Sequence, residues 1–561
     1  MRYSSIFLAF ALYVFSASQV HSEDRLELTE ESLFAADRLG KIEITIATPD
    51  WDYLRSQTRS MAAALSKGKL SKSPYRYFKA DVVIDGVKFE SVGIRKKGFL
   101  GSQDDIRPSL KIKLNEYQDN GRIGNLDRLT LNNNKQDATI AYQFLGYRLY
   151  REAGLPAPRC GLTEVFVNGE SLGVYSNVES VKKPFLKNEF GDDSGDLYEG
   201  TYPTDFYPDR IIRFEVKTND DEADRTTLIT VAKLLDEPGD DLVEQIAKHV
   251  DMEQFHRFWA MESIIGFWDG YCANQNNFFV YVNPKDSRLH FMPWGLDSAF
   301  SESILTPFNP GPASVKARGR LPFLLYQEEA TRKRHVETVR QLLDSVWIED
   351  ELVEKIDRVT QMTQGHRHEA QGDAKKATDR MKAFISLRRR RILAEIKEGP
   401  VKYTTPPPPP TYSRRVGEIS GEFSTVWADK PDEDRLSTGT ASLTLKIGDK
   451  DVKFTQVGAV AEPQPPSPFV PRRPGPPPPT LTFTAKRKSN GRSLSLWIGF
   501  FDAQFKGSEG KLQVQGLMMD GRNIFTMRFF AGTAILKKAE RKEGAAVAGS
   551  ISGSLFQLKK P

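Results

Sequence analysis

Along the first 180 residues apolar and polar positions alternate in short runs, the period of strands with one buried face. An Ile-rich run over residues 41–47 predicts a strand, and Pro49-Asp50-Trp51 opens a helix. Runs over 80–85 and 87–94 flank Asp85-Gly86 and predict a hairpin; runs over 162–167 and 173–178 predict a second around Asn168-Gly169. Residues 66–75, rich in Lys and Ser, read as a surface loop. Strands are expected over 109–114, with Ser109, Lys111 and Lys113 on one face, and over 126–131. Ile140, Phe144, Tyr147 and Leu149 predict a helix over 138–153, stopped at Gly154, and 182–190 reads as another.

Past this point the apolar spacing becomes helical, over 227–235, 240–249 and 252–266. The last of these is apolar on most sides, which predicts a buried helix. Residues 302–320, rich in Pro, Gly and Ser, read as a mobile loop. A charged helix is expected over 372–397, its Arg388–Arg391 run lying on a solvated face. Pro406–Pro410 mark a stiff spacer. Beyond it short strands over 440–447, 452–457, 481–486, 494–501, 511–517 and 523–530 predict a β-sandwich or barrel, interrupted by a proline tract at 463–479. The chain thus divides into an α+β part over 40–398, a linker over 399–415 and a β-rich part over 416–561 with a Pro-rich insertion at 461–479.

Composition narrows the reading. The 561 residues carry a formal net charge of +5, too mild over that length to argue for nucleic acid or a membrane surface. Arg2, an apolar run over 6–17 and small or polar residues near position 22 read as a secretory signal over 1–22. No later run approaches membrane-spanning length, so a secreted, periplasmic or cell-surface protein without an integral span is expected. In such a compartment Cys160 and Cys272 could form a disulfide or stay as buried thiols. His366 and His368, two apart, would point to different helix faces, and no Cys-x-x-Cys is present, so a zinc site is disfavoured.

The candidate chemistry lies between Gly266 and Asp297. Asp269 is followed by Asn274, then by two apolar runs around a polar turn, and then by Asp297. Acid, amide, hairpin, acid is the order of a phosphotransfer site, where one Asp orients a hydroxyl while an Asn and a second Asp hold a metal. Upstream, Arg95-Lys-Lys97-Gly98-Phe-Leu-Gly101-Ser102 is a basic, glycine-interrupted loop able to surround a phosphate, and Lys111 sits on a strand that could face a cleft. Charged surface turns and edge-strand lysines would look the same.

Gly93–Gly98, Arg107–Lys113, Gly173–Glu179, the Asp269–Asn274 loop and Met292–Asp297, in that order, resemble the CotH kinase family over roughly residues 40–395. The resemblance implies an atypical protein-kinase-like domain of two lobes, about 40–180 and 181–398, followed by the β-rich domain. It implies transfer of phosphate from ATP, with Mg2+ or Mn2+, to Ser or Thr of envelope or extracellular proteins. Asp269 would be the catalytic acid, with Asn274 and Asp297 as metal ligands. Lys111, Lys97 and Lys113 would be the alternatives for the phosphate cation, with Arg95 and Gly98 beside them and Glu179 at the junction of the lobes. Two positions depart from the family pattern: Gly295 stands where some relatives carry a second acid, and Arg107 where lysine is common. The alternative is a non-catalytic surface scaffold that keeps the kinase shape. The substrate and the oligomeric state are not legible.

Overall fold

The computed structural model describes residues 27–65, 73–99, 102–220, 223–301, 311–431, 434–465, 477–508, 510–521 and 526–559. The expected signal segment, most of the Lys/Ser-rich loop, the first part of the 302–320 loop and the middle of the second proline tract lie outside those residues.

Seven strands, β1 (Leu39–Ile46), β2 (Phe78–Ile84), β3 (Val87–Lys97), β4 (Ser109–Lys113), β5 (Arg128–Asn132), β6 (Cys160–Val167) and β7 (Glu170–Val178), close into a barrel in the order β1-β2-β3-β4-β5-β7-β6. Closure is parallel, from Leu39↔Leu162 to Ile44↔Val167. The alternation explains the interior: Ile42, Ile44, Val82, Ile84, Ile94, Leu110, Ile112, Leu131 and Val165 all point inward and are almost fully buried. Both predicted hairpins are present. Asp85 and Gly86 (φ 48° and 86°), like Asn168 and Gly169 (φ 51° and 89°), have both central residues left-handed, as two-residue hairpins of this hand require. The Asn168 amide also clips β1, bonding the Ile46 N–H and carbonyl at 2.9 Å each.

Two segments of this lobe differ in kind from expectation. Arg95, Lys96 and Lys97 belong to β3, not to a loop, because they pair with Lys111, Leu110 and Ser109 of β4. The helix expected from residue 138 runs over Tyr142–Glu152. Ile140 at φ 67° is incompatible with a helix, and Asp137 collects the N–H groups of Thr139 (2.8 Å) and Tyr142 (2.7 Å) instead.

The second lobe is built on strands β8 (Leu197–Gly200), β9 (Glu215–Val216), β10 (Phe278–Asn283) and β11 (Arg288–Pro293), ordered β11-β10-β8-β9. Helix Met252–Ile264 lies in its aromatic core, with Phe255, Phe258 and Trp259 fully buried, and delivers the chain into the Asp269 loop. Arg388 is buried and does not lie on a solvated face. Its guanidinium donates to the carbonyls of Ile264 (2.9 Å), Ala313 (3.1 Å) and Ser263, capping the helix end that precedes the loop. Residues 313–317 are likewise packed, not mobile, for Ala313 and Ser314 donate to Glu395 at 2.9 Å and Val315 is fully buried. Cys160 and Cys272 are both buried free thiols, so the disulfide reading is set aside. His366 and His368 lie in the irregular segment after helix Glu349–Thr363 rather than on a helix; His366 meets Glu164 (2.7 Å) and His368 accepts from the Ala370 N–H (3.0 Å).

After the proline spacer nine strands form one antiparallel sheet: β12 (Tyr412–Val426), β13 (Thr440–Ile447), β14 (Lys450–Val452), β15 (Phe454–Pro463), β16 (Pro479–Arg487), β17 (Ser493–Gly499), β18 (Leu512–Asp520), β19 (Arg528–Lys538) and β20 (Ala546–Lys559). Its order is β14-β13-β12-β20-β19-β18-β17-β16-β15, and a bridge from Trp427 to Ala461 brings its two sides together, so the sheet is curled and barrel-like rather than a two-sheet sandwich. The proline tract joins β15 to β16, with Pro463 opposite Pro479. β12 and β20, the longest pair, are not apparent in the sequence, because Gly and Ser interrupt their apolar positions.

Candidate active site

Because Leu110 and Ile112 fill the barrel, Lys111 must project from its outer face, and its cross-strand partner Arg95 does the same. Lys97 lies two residues further along β3 on that face. This face looks across a cleft at the second lobe. There Glu199 of β8 is held by Lys217 at 2.5 Å, and Lys217 also bridges to Glu215 at 2.8 Å. Burial, reinforced by Arg95, Lys97 and Lys217, pushes the Lys111 ammonium well below its usual range, while Glu199 pulls the other way. Burial likewise lowers Lys97 to about 8, against the pull of Asp297 and Glu199. Lys97 donates to the side-chain amide oxygen (Oδ1) of Asn132, and its ammonium lies 5.8 Å from the Trp294 ring centre. Asn132 in turn donates to Gln143 (2.5 Å), which ties β5 to helix Tyr142–Glu152.

On the opposite wall, Asp269 sits in a box of amides. Asn274 donates to one carboxylate oxygen at 2.6 Å and Asn276 to the same oxygen at 3.1 Å; Asn277 donates to the other at 2.9 Å. Burial raises the Asp269 pKa, and these three hydrogen bonds oppose the rise. Asn277 is left-handed (φ 51°), as asparagine tolerates well. Behind the loop, fully buried Glu262 accepts the N–H groups of Tyr271 (2.9 Å) and Cys272 (2.8 Å) and so shapes the turn after Asp269.

Asp297 follows β11. Burial first, and then repulsion by Asp269, raise its pKa to about 7; Lys97 opposes them and Asp137 adds to them. The two acids and Lys97 therefore share one electrostatic environment. Asn274, with its nitrogen on Asp269, keeps its carbonyl oxygen available. Two acids that repel one another in a half-buried cleft, beside a free carbonyl oxygen, are a donor set suited to a hard divalent cation.

Asp269, Asn274, Asp297, Lys97, Lys111 and Arg95 are thus gathered at one cleft, and two sequence expectations are corrected. Lys113 is tied to Glu116 at 2.8 Å on the barrel surface. Glu179 is buried with both oxygens on Arg159 (2.7 and 3.0 Å), itself bridged to Glu30, so it braces the barrel rather than meeting a nucleotide. Arg107, at the position where the family pattern commonly has lysine, is buried and donates to the carbonyls of Leu172 (2.6 Å) and Val174 (3.0 Å). Gly98, at φ 108°, leaves the strand and would bring a Cβ within 2.7 Å of Ser102. Gly295 is explained as well: at φ 55° an added Cβ would fall 2.8 Å from the Asn277 amide, so a second acid cannot stand there without disturbing the box around Asp269.

Sequence reasoning missed Glu199, Lys217, Asn132 and the Asn276–Asn277 pair. The run Asn274-Gln-Asn-Asn277 was a visible signal, because four carboxamides in a row have little other use next to an acid. Glu199 and Lys217 have no local signature.

A cation-lined barrel face opposed to an amide-boxed acid and a second acid is the arrangement of a kinase-like phosphotransfer cleft. Residues 94–392 match the family described as CotH kinase protein, and the chain belongs to that family. Among curated relatives, Spore coat protein homolog 1 of Rhizopus delemar is 24% identical over 30% of this chain and 30% of its own length. Inner spore coat protein H of Bacillus subtilis is 22% identical over 31% of this chain and 50% of its own. The chain therefore spans half or less of the length of these relatives. A crystal structure of the Helicobacter pylori proinflammatory kinase CtkA aligns at 9% identity over 54% of this chain and 92% of that one, with a TM-score of 0.29, a level that does not define the fold.

Proposed function

We propose that this chain transfers the γ-phosphoryl group of ATP to Ser or Thr hydroxyls of proteins at the cell envelope or outside the cell. The observation that supports this best is the meeting, in one cleft, of the Arg95–Lys97–Lys111 cation face with Asp269 and Asp297. Lys97 and Lys111 would hold the nucleotide phosphates, and Arg95 would keep that end of the cleft positive. Asp269, its orientation set by three amides, would accept the hydroxyl proton as the hydroxyl oxygen bonds to the γ-phosphorus. The bond from that phosphorus to the bridging oxygen breaks, and ADP leaves with the electron pair. Asp297 and the Asn274 carbonyl oxygen are the groups that would hold Mg2+ or Mn2+. Bound there, the ion would neutralise phosphate charge.

The envelope setting follows the expected export signal and the spore-coat names of the relatives. It is compatible with the absence, among the described residues, of any helix long and apolar enough to cross a membrane. The test is incorporation of labelled phosphate from ATP with Mg2+ or Mn2+ into envelope proteins, comparing wild type, Asp269→Ala and Asp297→Ala. Loss in both variants is expected, and equal incorporation by all three overturns the reading. No incorporation by the wild type, together with thermal stabilisation by ATP and Mn2+, would instead mark a nucleotide-binding scaffold.

A further inference from the structure

The C-terminal sheet docks on the barrel beside the cleft, and its contacts converge on the segments that flank the cation face. Gln515 of β18 makes three hydrogen bonds to one short stretch of the first lobe: it accepts from the Met61 N–H (3.0 Å) and donates to the Thr58 hydroxyl (2.8 Å) and the Arg59 carbonyl (2.9 Å). From the other side Gln103, in the chain between β3 and β4, accepts from the Arg59 N–H (2.9 Å) and donates to the same carbonyl (3.2 Å). The Arg59 peptide is therefore gripped between the glycine-bearing connection of the barrel and the C-terminal domain. Ser413 of β12 continues the contact by donating its N–H to the Leu65 carbonyl at 2.9 Å.

The Arg59 side chain itself has no ion pair or hydrogen bond among the described residues. Its Nε is buried without a partner, and its guanidinium stacks over Phe99, next to Gly98, at 5.1 Å. Its charge reaches Glu199 across the cleft, in company with Lys217 and Lys111. With Nε unpartnered, the guanidinium keeps donor capacity open to a phosphate oxygen, for which a charge-assisted hydrogen bond is strong. Two further contacts, from the turn between β17 and β18, reach neighbouring side chains of the first lobe. The Ala503 N–H donates to Asp105 at 3.2 Å, and the Phe501 ring lies 4.4 Å from the ammonium of Lys96, the residue before Lys97.

We infer that the C-terminal β domain is part of the anion-binding unit: Gln515 is a positioning residue that fixes Arg59 as a further phosphate-binding cation at the mouth of the cleft. The inference rests on the phosphate-binding reading of that cleft but not on phosphoryl transfer. The recognised chemistry is a polyphosphate chain, which can extend past Lys97 and Lys111 to meet Arg59.

The test uses the full chain and inorganic tripolyphosphate, with binding measured by calorimetry for wild type, Arg59→Ala, Gln515→Leu and the double variant. Each single variant should bind roughly tenfold more weakly, as loss of one charge-assisted contact implies. The double variant should be no weaker than Arg59→Ala alone, because Gln515 acts only through Arg59. Arg59→Lys should recover part of the loss, and amide exchange over residues 57–65 should quicken in Gln515→Leu. An unchanged affinity in Gln515→Leu, or additive losses in the double variant, overturns the inference. So does a wild type that fails to bind tripolyphosphate. A wild type that binds it yet transfers no phosphate refutes the kinase reading and leaves this one standing.

Discussion

Arg95 and Lys111 face one another directly across the β3–β4 ladder, two cations side by side on the barrel face that looks into the cleft. Like charges in that position destabilise a sheet by roughly 0.2–1 kcal/mol, and burial of Lys111 adds to the strain. Lys111→Met should therefore make the ligand-free protein more stable, by about 0.5 kcal/mol. The same change should raise the KM for ATP at least tenfold. Denaturant unfolding and steady-state kinetics on one preparation would check both; a variant that is less stable with an unaltered KM would remove Lys111 from the site.

Lys97 carries its charge only below about pH 8. It binds phosphate as the ammonium, so kcat/KM for ATP should fall as pH rises through about 8 in the wild type. Lys97→Arg, which stays charged, should lose that alkaline limb whatever its absolute rate. Rate profiles from pH 6.5 to 9.5 decide the matter.

Glu262 is raised from 4.5 to about 8 by burial. Between those values the folded protein keeps a proton that the unfolded chain has released, so stability is greatest below pH 4.5 and drains away as pH rises through 8. Glu262→Gln removes this slope. It also gives up one of two N–H acceptors, at a cost of about 1 kcal/mol. Comparing urea midpoints at pH 5.5 and 8.5, the wild type should lose more than the variant.

Gly295→Ala and Gly295→Asp should each cost on the order of 1–2 kcal/mol through the left-handed backbone alone. Both should lower kcat by pushing Asn277 off Asp269, with little change in the KM for ATP. A Mn2+ titration should show no tighter binding for Gly295→Asp, although it adds a carboxylate. Tighter binding would mean that the missing acid, not the glycine turn, limits this site.

How much of this was legible depended on distance along the chain. Asp269, Asn274 and Asp297 lie within one helix–loop–hairpin unit, so their order carried their relationship. Lys97 and Lys111 could be placed on strands from the alternation, but a strand period cannot say which face meets a cleft. The same pattern therefore promoted Lys113, which Glu116 holds on the surface. Glu179 was misread for a related reason. A buried acid at the end of a motif looks functional, yet Arg159 accounts for both of its oxygens. The C-terminal strands β12 and β20 escaped notice because long edge-to-edge pairing with Gly and Ser leaves little periodicity.

By itself the sequence determined the local matters: most of the first-lobe strands, where the two-residue turns fall, and the acid–amide–acid order of the second lobe. These depend on side-chain period and backbone preference, which act over a few residues. The tertiary structure decided which charges meet. It closed the barrel through β1 and β6, set Lys97 against Asp297, placed Glu199 and Lys217 opposite Lys111, and brought Gln515 to Arg59 from over 450 positions away. Charge interactions depend on separation and burial in space, and neither is a property of position along a chain.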